Sequence, residues 1–286
     1  MNEYKQFVPQ VNWELIPIKN LVSNQDYQRN LSEAHIKKAV DNFDLYQINP
    51  VKVSRRNGTN YVFNGQHTIE IVARKSGSRE TPVWAMVYDD LQYEHEADIF
   101  ANQQKYVKPL TPYEIFIANI EAGNDEQITI KSVVESYNMV ITPAKTLGGI
   151  CAVSTLEYIY RRFGYHILDD TLKLCIATWE GDINSFAGNI LKGIAKLLVA
   201  YGSELDEDIF KEKLGRCSIR ELTRSAAERS NGSLGFAEAM ISIYNKRLKV
   251  PLHISKLYNK KKVNEPDFRD KEAVYDLDEI YSEDEE

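Results

Sequence analysis

The periodicity of apolar residues changes near Asp90 and divides the chain into two differently built parts. Before Asp90, short alternating or β-branched segments are interleaved with amphipathic helical patterns. Asn57-Gly58 is a strong hairpin-turn signal, and Asn30 or Ser32 is the expected N-cap of the first helix. The predicted strands are 13–18, 50–54, 60–64 and 81–89, and the predicted helices are 30–43 and the segment that follows Asn64. This order predicts a small domain with a mixed sheet.

After Asp90 the strand signals nearly vanish and helical patterns follow one another. Thr111 is the expected N-cap of one helix, with Pro112 at its first position. The predicted helices are 93–107, 111–123, 129–138, 153–164, 169–181, 186–202, 206–215, 218–230 and 234–248. The predicted fold class is therefore α+β, with a mixed-sheet domain at 1–107, an all-α domain at 108–255 and a basic-then-acidic tail at 256–286 that is expected to be disordered.

The net charge of −7 is unevenly distributed. Residues 264–286 contain eleven acids against Arg269 and Lys271, a net of −9, which leaves +2 for residues 1–263. Four lysines, Lys256, Lys260, Lys261 and Lys262, precede the acidic block. One hypothesis is that the acidic tail competes with nucleic acid for the basic surface, and the alternative is a merely solvated tail.

Membrane and disulfide-rich classes are not indicated. The chain has no apolar run of bilayer length, and its first residues lack the basic-then-apolar layout of a signal peptide. The three cysteines, Cys151, Cys175 and Cys217, are far apart and form no CxxC pair. We therefore expect a cytoplasmic protein with free, buried thiols and no cysteine-based metal site.

The turn "NGQHT", residues 64–68, lies where a predicted strand ends and a predicted helix begins. A glycine at position 65 allows close approach of a ligand to the backbone, and the first N–H groups of the helix favour an anion. Gln66, His67 and Thr68 add polar side chains. The turn therefore predicts a phosphate-binding site, and the simpler alternative is helix capping by Asn64 and Thr68.

Residues 13–107 resemble the ParB/sulfiredoxin superfamily. The resemblance rests on "LIPIKNLVSNQDYQR" (15–29), which is similar to the opening strand and following loop, and on "LYQINPVKV" (45–53), which is similar to the entry to the second strand. "NGQHT" stands in the place of Gly-Glu-Arg-Arg in ParB proteins, Gly-Cys-His-Arg in sulfiredoxins and Asp-Gly-Gln-His-Arg in DndB-like regulators. The resemblance implies a ParB/sulfiredoxin-like fold and a nucleotide, CTP or ATP with magnesium, bound near Arg29, Gly65, Gln66, His67 and Thr68.

The sequence departs from these motifs at two positions. Thr68 replaces an arginine common to all three motifs, so a bidentate contact to phosphate is lost unless Arg29, Arg55, Arg56 or Arg74 supplies it. The sulfiredoxin thiol is absent because position 66 is glutamine, which excludes that chemistry.

A second motif, "ANQQK" at 101–105, is similar to Glu-Asn-x-Gln-Arg of ParB proteins. The resemblance implies that Asn102, Gln104 and Lys105 also bind the nucleotide. Ala101 replaces the acid, which disfavours metal-assisted hydrolysis, although Asp98 lies one helical turn earlier on the same face. Asp98 and His67 are therefore the candidate catalytic residues, and an inactive binding pocket is the simpler interpretation.

Two regions are candidates for contact with nucleic acid. A helix-turn-helix at 129–150 is disfavoured because Gly148-Gly149 would cost about 1 kcal/mol each in a recognition helix. Segment 215–230 is a better candidate, with a capping box at Ser218 and Glu221. The residues predicted to follow a phosphate backbone are Arg216, Arg220, Arg224, Lys260, Lys261 and Lys262. The alternative is a solvated face paired with its own glutamates.

These observations favour a nucleotide- and DNA-associated protein, and the resemblance adds ParB-like partition, replication or gene regulation on a phage or plasmid. The competing class is a nucleotide hydrolase, phosphotransferase or nuclease. A third class is a catalytically inactive regulator that binds another protein. Homodimer formation is left open.

Overall fold

The computed structural model describes residues 8–23, 30–103, 105 and 108–258 and divides into two compact units, Met1–Pro109 and Leu110–Glu286. In the described residues, the first unit contains a mixed sheet and three α-helices, and the second unit is helical apart from one short strand pair. The predicted α+β class is confirmed. Among the described residues no helix has the length and apolarity needed to cross a bilayer.

The first unit is built on a five-stranded sheet with the order β1-β5-β3-β4-β2. Its strands are β1 (Asn12–Pro17), β2 (Leu21–Ser23), β3 (Val51–Arg56), β4 (Thr59–Asn64) and β5 (Pro82–Tyr88). Strand β3 pairs antiparallel with β4 and parallel with β5, while β2 pairs parallel with β4. The predicted turn at Asn57-Gly58 is confirmed, since both residues have positive φ. Strand β2 was not predicted, because its three residues are too short for a periodic signal.

Three helices complete the first unit: α1 (Glu33–Asp41), α2 (Gln66–Ser76) and α3 (Tyr93–Gln103). The Ser32 hydroxyl caps α1, which decides between the two predicted caps. Ile69 and Ala73 of α2 pack on the buried face of the sheet with Val51, Val53 and Val87. Helix α3 is predicted to extend to 107, but residues 104, 106 and 107 lie outside the described part of the chain.

The second unit contains seven helices in its described residues. They are α4 (Pro112–Glu121), α5 (Asp125–Ser136), α6 (Val153–Trp179), α7 (Gly188–Tyr201), α8 (Glu207–Leu214), α9 (Ile219–Ala227) and α10 (Gly232–Tyr244). The predicted N-cap Thr111 of α4 and the predicted capping box of α9 are confirmed, and α4 has a capping box as well. The two helices predicted at 153–164 and 169–181 form one element that is interrupted at Gly164, whose φ is 84°.

Between α5 and α6 the chain forms β6 (Val140–Ile141) and β7 (Gly149–Ile150), which pair in parallel. A recognition helix is therefore absent from residues 138–152, all of which are described, in agreement with the expectation from Gly148-Gly149.

The core of the second unit is formed chiefly by α6, α7 and α10, with Leu172, Ile194 and Met240 fully buried. Cys151, Cys175 and Cys217 are free thiols, as predicted. Only Cys175 is fully buried, whereas the other two are half-buried because they lie at the edges of helices and not in the core. The acidic tail at 264–286 lies outside the described residues.

Candidate functional site

The turn between β4 and α2 is defined by the backbone of Gly65, whose φ is 106°. A Cβ atom at this position would lie 2.6 Å from Cγ1 of Val51 on the neighbouring strand, which is closer than any real contact. Glycine is thus required both by the left-handed conformation and by the close packing of the turn on β3. Gly65 is also the N-cap of α2 and provides no capping side chain. The alternative in which Asn64 and Thr68 cap this helix is wrong for that reason.

The first turn of α2 presents the backbone amides of Gln66, His67 and Thr68. The Ile69 N–H donates to the Gly65 carbonyl at 3.0 Å and is the first bond of the helical ladder, so these three amides precede it. The Gln66 side chain is buried at 7% exposure and the side chains of His67 and Thr68 are half-buried. The backbone and the Thr68 hydroxyl are therefore the groups of this turn best placed for an anion.

His67 links the turn to α1. Its Nε2 atom accepts a hydrogen bond from the Ser32 N–H at 3.1 Å, and its ring lies edge-on to His35 with centroids 5.5 Å apart. An accepting Nε2 carries no proton, so the neutral ring holds its proton on Nδ1. This candidate catalytic residue therefore has its Nε2 lone pair occupied by the backbone of the α1 cap.

The second predicted motif lies beside the turn, because the Asn64 amide donates to the Gln103 side-chain oxygen of α3 at 3.1 Å. On the same helix the Asn102 amide donates to Asp98 Oδ1 at 2.8 Å. Lys105 is exposed just beyond α3. The structure thus joins the turn to Asp98, Asn102 and Lys105 through one helix, whereas Gln104 lies outside the described residues.

A buried ion pair holds α3 on the sheet. Glu96 has a fully buried side chain, and Arg56 Nε lies 2.8 Å from its Oε1 atom. The Arg56 guanidinium also stacks over the Tyr61 ring, 4.4 Å from its centroid. This pair connects α3 to β3, and no sequence signal marks it because the two residues are forty positions apart.

Three of the arginines that could replace the motif arginine are committed elsewhere. Arg56 pairs with Glu96, Arg55 makes two hydrogen bonds to Glu14 at 2.9 and 2.5 Å, and Arg74 makes two to Glu33 at 2.7 and 2.8 Å. These hydrogen bonds from Arg55 and Arg74 lower the pKa values of Glu14 and Glu33, so both carboxylates stay charged at neutral pH. Arg29 lies outside the described residues.

Lys52 is a cation near the turn that the sequence does not reveal. It lies opposite Asn64 in the β3–β4 register, next to an irregularity between Lys52 and Val53, and its side chain is half-buried. Its position depends on strand pairing, which a single sequence does not specify. Within the described residues, no group of three His, Cys, Asp or Glu side chains is arranged to hold a metal ion.

The predicted nucleic-acid residues lie on the second unit. Arg220 and Arg224 are exposed and one turn apart on α9, and Arg216, with a side chain 77% exposed, pairs with Glu212 at 2.8 Å. The pairing with Glu212 agrees with the solvated-face alternative for Arg216. Lys260, Lys261 and Lys262 lie outside the described residues.

A groove of about 790 Å³ borders this surface between α8, α9 and the end of α10. Its rim contains four cations that come from two separate stretches of the chain, Lys213, Arg216, Lys246 and Arg247. The juxtaposition was not predicted as a groove, because it requires the helices to pack.

The chain is similar in structure to two crystal structures of the C-terminally truncated chromosome-partitioning protein ParB from Caulobacter crescentus. For the complex with CTP-γ-S the identity is 13%, the TM-score is 0.34, and the match covers 81% of this chain and 98% of that chain. For the complex with the centromeric parS site the identity is 16%, the TM-score is 0.27, and the coverage is 76% and 100%. None of the curated proteins matches the sequence. A family model matches residues 22–249, most of the chain, which therefore belongs to the family of unknown function DUF6551.

Proposed function

We propose that this chain is a nucleotide-associated, DNA-binding regulatory protein that holds a phosphate group at the β4–α2 turn. The observation that carries the proposal is the conformation of Gly65, which places the start of α2 directly against Val51 at the end of a strand. This arrangement presents successive backbone amides at the positive end of a helix, which is a chemistry suited to phosphate.

The surroundings of the turn support a nucleotide more than a free phosphate. Asn64, Gln103 and Asn102 provide amide groups beside the turn, linked by hydrogen bonds to one another or to Asp98. Such groups can bind a sugar or base while the turn binds phosphate. CTP or ATP with magnesium is the candidate ligand, as the resemblance of residues 64–68 to the nucleotide-binding motif of ParB proteins implies.

We infer that binding occurs without turnover. Both candidate catalytic groups already have partners, since Asp98 accepts from Asn102 and His67 accepts from the Ser32 N–H. A hydrolase, phosphotransferase or nuclease remains the competing class. Phosphate release measured with CTP and ATP tests the hydrolase, because release above the protein-free rate would contradict our inference. Transfer of labelled γ-phosphate to an acceptor and cleavage of a labelled duplex test the other two activities in the same way.

Calorimetry with CTP and ATP, with and without magnesium, tests the proposal directly. Saturable binding of either nucleotide below millimolar concentration is the expected result. If neither nucleotide gives heat of binding, the turn is a structural feature only, and the protein-binding regulator becomes the leading hypothesis.

Thr68→Arg is expected to tighten nucleotide binding at least about tenfold, because a charged hydrogen bond to phosphate contributes about 1.5–3 kcal/mol. Thr68 occupies the position at which the resembled motifs carry arginine, and its side chain is half-buried at the turn. Thr59→Arg is the matched control, since it adds the same charge at the opposite end of β4. Calorimetry checks both variants, and equal affinities would show that position 68 does not face the ligand.

DNA association is assigned to the surface formed by Arg216, Arg220 and Arg224. Arg220 and Arg224 are exposed on one face of α9, which suits contact with a phosphate backbone. A role in partition, replication or gene regulation would follow from such contact. The same proposal includes that the protein acts on a mobile genetic element, either a phage or a plasmid.

Arg220→Ala and Arg224→Ala are each expected to reduce the slope of log K against log salt concentration by about 0.9 for duplex DNA. Arg162→Ala provides the control, since Arg162 is an exposed arginine on α6 outside this surface. Fluorescence anisotropy with a labelled duplex over a salt series measures the slopes. If Arg162→Ala lowers the slope as much as Arg220→Ala and Arg224→Ala do, the assignment of DNA binding to α9 is wrong.

A further inference from the structure

The groove of the second unit combines a few half-buried apolar side chains with a larger, mainly basic polar rim. Ile209, Ile243 and Leu248 contribute apolar surface from α8, from α10 and from the segment after α10. Lys246 and Arg247 are exposed at the rim, and neither has a salt bridge within the described residues. A segment that fits this groove must therefore carry both carboxylates and apolar side chains.

The acids of the groove are already used. Glu212 pairs with Arg216 at 2.8 Å, and Glu221 accepts hydrogen bonds from the Ser218 N–H and hydroxyl in the capping box of α9. The groove thus has four cations and only two carboxylates, both of which already have partners. The cations are Lys213, Arg216, Lys246 and Arg247, and the carboxylates are those of Glu212 and Glu221. Lys213 donates to the Lys246 carbonyl, which fixes the end of α8 to the chain beyond α10.

The chain leaves the described structure near the same helices. Asn245 makes two hydrogen bonds of 2.8 Å to the backbone of Leu252, and the Tyr201 hydroxyl donates to the His253 carbonyl at 2.9 Å. Tyr258, the last described residue, donates its hydroxyl to Glu238 of α10. Glu238 precedes the groove residue Ile243 by only about 8 Å along the helix axis.

The sequence that follows has the required chemistry. Segment 276–281, "DLDEIY", alternates three carboxylates with Leu277, Ile280 and Tyr281 within the block whose net charge is −9. A stretch of the seventeen residues between Tyr258 and Asp276, if treated as a random coil, would have a root-mean-square span of about 25 Å. This span exceeds the length of about 8 Å along α10 that separates Glu238, the partner of Tyr258, from Ile243.

We propose that residues 276–281 of this chain dock in the groove between α8, α9 and α10, with their carboxylates on the basic rim and their apolar side chains on Ile209, Ile243 and Leu248. The docking covers Arg216 and lies beside Arg220, so the tail would compete with DNA for this surface. It requires neither DNA nor nucleotide, and its test is independent of the proposed function.

The strength of docking can be bounded. A short tether gives an effective concentration of about 1 mM, so an intrinsic Kd of about 0.1 mM would make the docked state about tenfold more populated than the free state. Because the ion pairs lie at an exposed rim, about 1 M salt should abolish most of this preference.

Alkylation of Cys217 by iodoacetamide reports on docking, since this half-buried thiol lines the groove. Deleting residues 264–286 is expected to accelerate alkylation of Cys217 about tenfold, the ratio of docked to free chains. High salt should accelerate alkylation of Cys217 in the full chain and should leave the rate in the shortened chain unchanged. Burial raises the pKa of Cys217, so labelling is carried out at alkaline pH and followed by peptide mass spectrometry. Cys151, outside the groove, is the internal control and should react at one rate in both proteins.

Two charge variants of the full chain locate the contact. Asp276→Asn/Asp278→Asn/Glu279→Gln should accelerate Cys217 labelling as the deletion does. Asp284→Asn/Glu285→Gln/Glu286→Gln removes the same charge outside the segment and should leave the rate close to that of the unmodified chain. Equal rates for the full and shortened chains would overturn the proposal, and equal effects of both triple variants would replace specific docking by diffuse charge attraction.

Discussion

Glu96→Gln is expected to destabilise the first unit by about 3 kcal/mol, because removing one partner of a buried ion pair leaves the other charge uncompensated. The Glu96 side chain is fully buried and Arg56 is 24% exposed, so partial hydration of the guanidinium places the effect at the lower end of the usual range. Native-state hydrogen exchange of α3 (Tyr93–Gln103), read by mass spectrometry, measures the loss where the pair acts.

Glu33→Gln is the matched control for this prediction. It removes the same charge from a two-bond pair with Arg74, whose partners are 71% and 41% exposed. Exposed pairs contribute about 0–1 kcal/mol, so exchange in α1 and α2 should change little. A similar small effect for Glu96→Gln would show that α3 does not depend on the buried pair. If α3 loosens, Gln103 moves away from Asn64. The proposed nucleotide binding should then be weaker in Glu96→Gln and unchanged in Glu33→Gln.

Gly65→Ala is expected to cost about 3 kcal/mol, the sum of a left-handed backbone penalty of about 1 kcal/mol and a steric clash of about 2 kcal/mol. The added Cβ would lie 2.6 Å from Val51 Cγ1 and 3.1 Å from Val51 Cα, so neither side chain rotation nor a small shift of the valine relieves it fully. The proposed nucleotide binding should be lost as well, since the turn must move away from β3.

Gly77→Ala separates the two causes. Gly77 ends the same helix with a φ of 70°, but nothing lies within 4 Å of its hypothetical Cβ. Only the backbone penalty of about 1 kcal/mol should appear there, with nucleotide affinity unchanged.

Val51→Ala combined with Gly65→Ala should recover part of the loss, because it removes the Cγ1 contact. The steric explanation is wrong if the double variant recovers no stability and if Gly65→Ala and Gly77→Ala lower the free energy of unfolding equally. Chemical denaturation of each variant gives the comparison.

Local signals in the sequence predicted the elements well. Asn57-Gly58 forms its hairpin turn, and the caps at Thr111 and Ser218 form as expected, because each depends on contacts among residues no more than three apart. The break at Gly164 appears within a single helical element, since a glycine can adopt a positive φ without ending the helices on either side.

Long-range pairing limited what the sequence could show of the site. The position of "NGQHT" between a strand and a helix was predictable, but the contact of Gly65 with Val51 required the β3–β4 register. The same holds for Lys52 opposite Asn64 and for the ion pair of Arg56 with Glu96. Arg55 and Arg74 are plausible phosphate ligands in the sequence alone, and only their bidentate carboxylate partners show that they are committed elsewhere.

The sequence by itself determined the α+β class, the strand-to-helix turn at 64–68 and the charge contrast between residues 1–263 and the tail, because these depend on periodicity, local backbone preference and composition. Only the tertiary structure decided which helix lies beside the turn, which arginines are neutralised, and that Lys213 and Arg216 meet Lys246 and Arg247 around one groove. Those features arise from contacts between residues far apart in the chain, and packing brings such residues together without leaving a local trace in the sequence.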